Sequence, residues 1–166
     1  MRSVDRVRDY FIQRGITIDI KELPSSARTA QLAADAVGTP LGSIVKSLVF
    51  VADPDGSNRS VLALVAGDMR ADPAKIARLV NAPAARIANA DEVRAATSYA
   101  IGGVPPVAHP EPVEGQRLET LVDRTLLRFD KVWAAAGAPN AVFEIEMKLL
   151  LELTQGRVED IVVADH

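Results

Sequence analysis

The run Val45-Lys46-Ser47-Leu48-Val49-Phe50-Val51-Ala52, the turn-rich Asp53-Pro54-Asp55-Gly56-Ser57-Asn58 and the second apolar run Val61-Leu62-Ala63-Leu64-Val65-Ala66 decide the fold class. Two short β-rich runs, apolar on both faces and joined by a turn, predict a central antiparallel hairpin. A hairpin at the centre forbids a purely parallel, doubly wound sheet. Outward from it, helices and strands are interspersed. An amphipathic helix over Met1 to Gly15 precedes a strand in which Ile16, Ile18 and Ile20 alternate with Thr17, Asp19 and Lys21. Thr29 can cap and Gly38 can end a short helix to Val37, and Asp72-Pro73 opens another that runs to about Asn81. A short strand at Arg86 to Ala88 and a helix at Asp91 to Thr97 come next. Further strands are expected at Glu119 to Asp123, Lys131 to Ala135, Ala141 to Glu146 and Val158 to Val163, with a helix from Met147 to Leu153 between the last two. The expectation is an α/β (α+β) domain with a mixed, mostly antiparallel sheet.

With 166 residues, 48% of them hydrophobic, the chain is expected to fold as one domain spanning residues 1–166 around a core of small and branched aliphatics. Cysteine is absent and histidine occurs twice, as His109 and His166, so disulfides, thiol nucleophiles and the commonest zinc-ligand sets are excluded. The first helix lacks the apolar core of a signal peptide, and no apolar run is long enough to cross a bilayer, so a cytoplasmic protein with no membrane partner is expected. A formal net charge of −3 argues against a dominant basic face gripping long phosphate backbones such as DNA. A short single-stranded end, which needs only a few local cations, remains compatible.

Lys46 stands out because alternation places it on the same face as Leu48 and Phe50, in a strand that otherwise reads as buried. Either it snorkels from the strand's first exposed rung or it is a cation at the mouth of a pocket. Gly102-Gly103-Val104-Pro105-Pro106 opens a loop to Gly115 that holds four prolines. Its glycines permit close backbone approach and present N–H donors, while the prolines stiffen the chain beyond them. Such a loop can hold an oxyanion, or it can be a tight connection. Gly137-Ala138-Pro139-Asn140 is a weaker case of the same kind. His109 has no serine or aspartate at triad spacing and reads as a surface loop histidine. Ser47 and Lys46 point to opposite faces and cannot act as a Ser–Lys pair. Glu144 and Glu146 share a strand face and read as a solvated edge, and Lys75, Arg78, Arg86 and Arg94 could form a modest basic patch.

Taken together, Lys46 in Ile-Val-Lys-Ser-Leu-Val-Phe, the loop Gly-Gly-Val-Pro-Pro from Gly102, Leu62 to Gly67 with the Asp-rich turn after it, and Ala-Gly-Ala-Pro-Asn-Ala-Val-Phe-Glu resemble, in order and spacing, the YbaK and prolyl-tRNA synthetase-associated editing-domain family. The resemblance implies a sheet curled into a partly open barrel with surrounding helices. It also implies hydrolysis of the ester of a mischarged tRNA in trans, without metal or cofactor, with alanine or another small residue as the amino acid released. By the same resemblance Lys46 and Gly102 carry the catalytic role, while Gly103, Val104, Pro106 and Asn140 face the substrate. The implied partners are the acceptor end of the mischarged tRNA and an aminoacyl-tRNA synthetase. Ser98 and Ala108 depart from it, since glycine is expected at both positions. They are the main support for the alternative, a non-catalytic tRNA- or synthetase-binding module of the same fold. An ester on ribose has a neighbouring hydroxyl that can orient water, so a protein need only position the ester, stabilise the oxyanion and exclude bulky side chains. Because two histidines and no cysteine leave no convincing site for a catalytic transition metal, chelation by EDTA is expected to leave the hydrolytic rate unreduced. A loss restored by zinc or manganese would contradict this.

Overall fold

The computed structural model describes residues 1–52, 59–110 and 118–164. The expected turn at Asp53 to Asn58 and the far end of the proline-rich loop, from Glu111 on, lie outside them. Eight strands form one mixed, open sheet in the order β1 (Ile20–Glu22), β7 (Ala141–Glu146), β6 (Lys131–Ala135), β2 (Ile44–Ala52), β3 (Arg59–Ala66), β5 (Leu118–Asp123), β8 (Arg157–Glu159), with β4 (Ala85–Ile87) also paired to β2. The central hairpin is present: β2 and β3 pair antiparallel from Val45↔Ala66 to Ala52↔Arg59. Antiparallel pairs join β1 to β7, β6 to β7 and β4 to β2, and parallel pairs join β2 to β6, β3 to β5 and β5 to β8.

Both faces of the hairpin are covered, as its uninterrupted apolar runs require. On one face Val45, Val49, Leu62, Leu64 and Ala66 pack with Val4, Val7 and Phe11 of α1 (Ser3–Gln13), and with Tyr99, Val104 and Val107. On the other, Phe50, Val61, Ala63 and Val65 pack under Ile76 of α3 (Pro73–Leu79) together with Leu121 and Ile161. Ile44, also on this second face, belongs to a third cluster with Trp133, Val142 and Ala33 and Ala34 of α2 (Ala30–Val37). The helix ends follow the capping chemistry in the sequence. The Thr29 side chain accepts from the Leu32 amide, Gly38 ends α2 at φ 73°, and Asp72 caps α3 with Pro73 in its first turn. Asn89 and Glu92 form a reciprocal capping box on α4 (Ala90–Thr97). α5 (Met147–Thr154) follows β7 directly.

Two strands differ from expectation. Ile16, Ile18 and Ile20 do alternate in burial, but pairing begins only at Ile20. The side-chain pattern records contact with the core, whereas ladder formation depends on where β7 passes. The last strand stops at Glu159 because the Ile161 amide leaves the ladder to donate to the buried Asp123 carboxylate (2.9 Å), and Lys75 draws the Asp160 side chain aside (2.9 Å). Asp123 is fully buried and also accepts from the amide and hydroxyl of Thr125, so the carboxylate is satisfied and caps the short 3-10 helix Arg124–Arg128.

Ser98 and Ala108, where the resemblance calls for glycine, both adopt positive φ, 67° and 69°. The chain therefore follows the path glycine would favour, at a steric cost of about 1 kcal/mol per residue. Ser98 is the left-handed C-cap of α4. Ser98→Gly is expected to raise stability by about 0.5 kcal/mol after glycine's greater unfolded-state entropy is allowed for. Urea unfolding midpoints check this, and a destabilised variant would show that the C-cap is not strained.

Candidate functional site at the split edge of β2

One edge of β2 is divided. β6 pairs only with Ile44 and Val45, β4 pairs only with Phe50 to Ala52, and the Ala88 amide bonds the Val49 carbonyl at 2.9 Å. Among the described residues the interval Lys46–Leu48 has no strand partner on that side. It also lies between two covered regions of the second face, since Ile44 sits under α2 while Leu48 and Phe50 sit under α3. A charged rung in an otherwise apolar strand is thus placed where the covering layer opens. Lys46 is half-buried and donates its ammonium to the Met69 carbonyl. Burial pushes its pKa below the ordinary lysine value, and the nearby Asp68 carboxylate partly offsets this.

Asp68 is itself clamped by Arg128, whose two terminal nitrogens reach its two oxygens at 3.0 and 2.8 Å. The guanidinium holds the Asp68 carboxyl below its usual range. Arg128 ends the 3-10 helix that Asp123 caps, so a buried carboxylate indirectly fixes the charges around Lys46. Gly42 completes the corner: a β-carbon there would lie 3.0 Å from Arg128, Asp68 and Phe129. Neither Asp68 nor Arg128 stands out as a site residue in the sequence. Only the Asp-rich turn hints at Asp68, and pairing across 60 positions leaves no local signal.

The two glycine-containing loops meet. A β-carbon on Gly103 would stand 2.8 Å from the Ala138 Cα, so backbone approaches backbone there, while one on Gly102 would touch Pro139 at an ordinary 3.6 Å. Gly102 is instead required by its φ of +85°. It is exposed, whereas Gly103 to Val107 are buried. The Gly103 N–H is taken by the Ala100 carbonyl at 3.0 Å, leaving it unavailable as an oxyanion donor. The Val104 side chain is core, 3% exposed, and Pro106 is buried behind Gly102. Asn140 is engaged structurally: its amide nitrogen donates to the Leu23 carbonyl (2.8 Å) and its own carbonyl accepts from the Leu23 amide (2.7 Å). The turn 137–140 follows β6, which leaves β2 beside Lys46. The loops therefore stand next to the split edge, and no hydrogen bond among the described residues joins them to Lys46 directly.

Other candidates are absorbed elsewhere. Ser47 faces away from Lys46, and its hydroxyl oxygen is buried without a partner among the described residues. His109 is not a free surface histidine, since its ring nitrogen lies 2.7 Å from the Pro105 carbonyl. Lys75 and Arg86 of the supposed basic patch are paired with Asp160 and Glu92. Glu144 and Glu146 are exposed, and the described residues contain no group of three metal-ligating side chains. A groove of about 430 Å³ lined by Phe129, Lys131, Glu146, Met147 and Leu151 involves neither Lys46, the glycine loop nor Asn140.

The aminoacyl-tRNA editing domain family model matches residues 24–153. An uncharacterized protein of Bacillus subtilis, YwhH, is 34% identical over 94% of both chains. The Escherichia coli multifunctional Ser/Thr-tRNA deacylase ProXp-y is 34% identical over 60% of this chain and 58% of its own length. A crystal structure of a protein proposed to be a trans-editing enzyme for prolyl tRNA synthetase superposes with a TM-score of 0.85, at 44% identity over 99% of both chains. The matched span contains Lys46, the glycine loop and Asn140, and the fold agrees over nearly the whole chain. This chain belongs to the aminoacyl-tRNA editing domain family.

Proposed function

We propose that the protein is a trans-acting aminoacyl-tRNA deacylase that hydrolyses the ester of a mischarged tRNA carrying a small amino acid. The family match over residues 24–153 carries this reading. Lys46 at the split edge is the cation that meets the terminal nucleotide or the aminoacyl group. Gly102, exposed and in a conformation other residues resist, is the loop amide assigned to the developing oxyanion. Gly103, Val104 and Pro106 form the buried backing of that wall, and the Leu23–Asn140 clamp holds the facing turn. The amino group and side chain of the substrate then have a rigid boundary, while the neighbouring ribose hydroxyl orients water. No strong base is needed on the protein. A prolyl-tRNA synthetase is the proposed source of the mischarged tRNA, as for the structural relative. The alternative of a non-catalytic binding module rests on Ser98 and Ala108, and both residues keep the backbone path that glycine would give.

A panel of mischarged tRNAs incubated with the purified protein tests the reading through the amino acids released. Small residues are expected to be cleared and large aromatic ones retained, because a rigid wall rejects bulk where an added methylene gains only about 1–3 kcal/mol by attraction. Equal clearance of an aromatic residue would contradict this. Lys46→Ala is expected to keep its unfolding midpoint within a few degrees and lose most turnover, and a fully active variant would make Lys46 a mere surface cation. Gly102→Val should lose about 10²–10³ in single-turnover rate at a cost of about 1–2 kcal/mol of stability. If that variant is folded and fully active, the loop is a connector and not the pocket wall.

A further inference from the structure

The wall from Gly102 to Val107 is buried from Gly103 onward yet contains no helix or strand, so something other than a backbone ladder must hold it. Pro105 and Pro106 have no N–H, so at these two positions only the carbonyls can be bonded. Two rings supply the donors. The Tyr99 hydroxyl donates to the Ala108 carbonyl at 2.7 Å, and the His109 Nε2 lies 2.7 Å from the Pro105 carbonyl. The rings pack edge to face, with centroids 6.3 Å apart at 82°. Arg6 of α1 covers Tyr99, its guanidinium 4.5 Å from the ring centroid and its Nη2 donating to the Ser98 carbonyl at 2.8 Å. The left-handed Ala108 turns the chain so that His109 folds back onto Pro105. The result is a strap across the loop, closed at one end by tyrosine and at the other by histidine.

We propose that His109 is a positioning residue: its neutral ring, donating from Nε2 to the Pro105 carbonyl, holds the Gly102–Pro106 wall in shape, and gain of a proton by that ring loosens the wall. The inference rests on the deacylase reading for its effect on catalysis, although the strap itself does not. Among the described residues a carbonyl faces Nε2, so that nitrogen carries the hydrogen of the bond, which in the neutral ring leaves Nδ1 bare. Burial pushes the imidazole below its ordinary value of 6.5, against the opposing pull of the Pro105 carbonyl. Among the described residues the titratable and charged side chains on this side are the Tyr99 phenol, whose pKa burial raises, and Arg6 beyond it on α1. Among the described residues no carboxylate contributes to the His109 shift. Because the folded form binds the proton less readily than the unfolded chain, the stabilisation is complete above about 6.5 and is lost as pH falls below it. The charged ring could still donate to Pro105, so the loosening comes from the desolvation of a charge at a largely buried ring and not from losing the bond.

The test compares wild type, His109→Gln and His109→Phe at pH 7.5 and 5.5. Glutamine keeps an N–H donor without a titrating ring, and phenylalanine keeps the ring without a donor. Hydrogen-exchange protection of the Gly102, Gly103, Val104 and Val107 amides, corrected for intrinsic exchange and normalised to β3, is read on the protein alone. Deacylation kcat and KM are read on the best mischarged tRNA. At pH 7.5 His109→Gln should stay within about threefold of wild type in protection and kcat, while His109→Phe falls about tenfold in both. At pH 5.5 wild type should show lower protection and kcat than His109→Gln, and the gap should widen as the pH is lowered further. Identical protection in all three proteins at both pH values would overturn the strap. Parallel pH profiles of wild type and His109→Gln would overturn the role of ring protonation. If protection responds as described but no tRNA loses its amino acid in wild type, the strap stands and the deacylase reading fails.

Discussion

Strand β2 has to be shared. β3 occupies one edge throughout, while β6 and β4 divide the other and leave Lys46 to Leu48 unclaimed between them. Unpaired backbone within a sheet is costly unless water or a ligand can reach it. An interval of this kind in a central strand is therefore a natural opening in the fold. The same interval separates the cluster under α2 from the cluster under α3, so the one charged rung of β2 falls where the covering layer parts. From there the charges are ordered outward. Lys46 rests on the Met69 carbonyl near Asp68, Arg128 clamps Asp68, and the buried Asp123 fixes the helical turn that carries Arg128.

The second requirement is close approach between two loops. Gly103 lies against the backbone of Ala138, and the Leu23–Asn140 pair of hydrogen bonds locks the turn from its other side. The glycine next to it, Gly102, is left exposed in a positive-φ conformation at the rim. A rigid, buried backing with one exposed amide at its edge suits a wall that discriminates by shape. It also explains why Arg6, Tyr99 and His109 converge on a stretch that cannot hold itself by a ladder. Within this buried stretch the His109 ring serves the Pro105 carbonyl, and just beyond it the Tyr99 hydroxyl serves the Ala108 carbonyl.

The hairpin, the capped helices and the two glycine loops are legible from local pattern, since turn residues, caps and uninterrupted apolar runs act over a few positions. Lys46 is conspicuous because a single charge breaks an apolar run, but its surroundings are not, because Asp68 and Arg128 are 60 residues apart. Asn140 illustrates the limit in the other direction. Its place in the loop suggests a substrate contact, whereas its amide nitrogen is committed to Leu23, a partner 117 residues away. His109 reads as a loop histidine until Ala108 turns the chain back, and an alanine at positive φ has no sequence signature. The strand expected at Ile16 to Ile20 shows that alternation reports burial and not pairing.

The proposed function requires that the split edge of β2 and the rim of the glycine loop form one binding site for an aminoacylated 3′ end. Amide and lysine side-chain chemical shifts measured during titration with a non-hydrolysable aminoacyl-adenosine analogue test it directly. Saturable shifts at Lys46 to Leu48, Gly102 to Val104 and Ala138 to Asn140 are the result expected. Shifts confined to the groove around Phe129 and Met147, with Lys46 and Gly102 unmoved, would contradict the account.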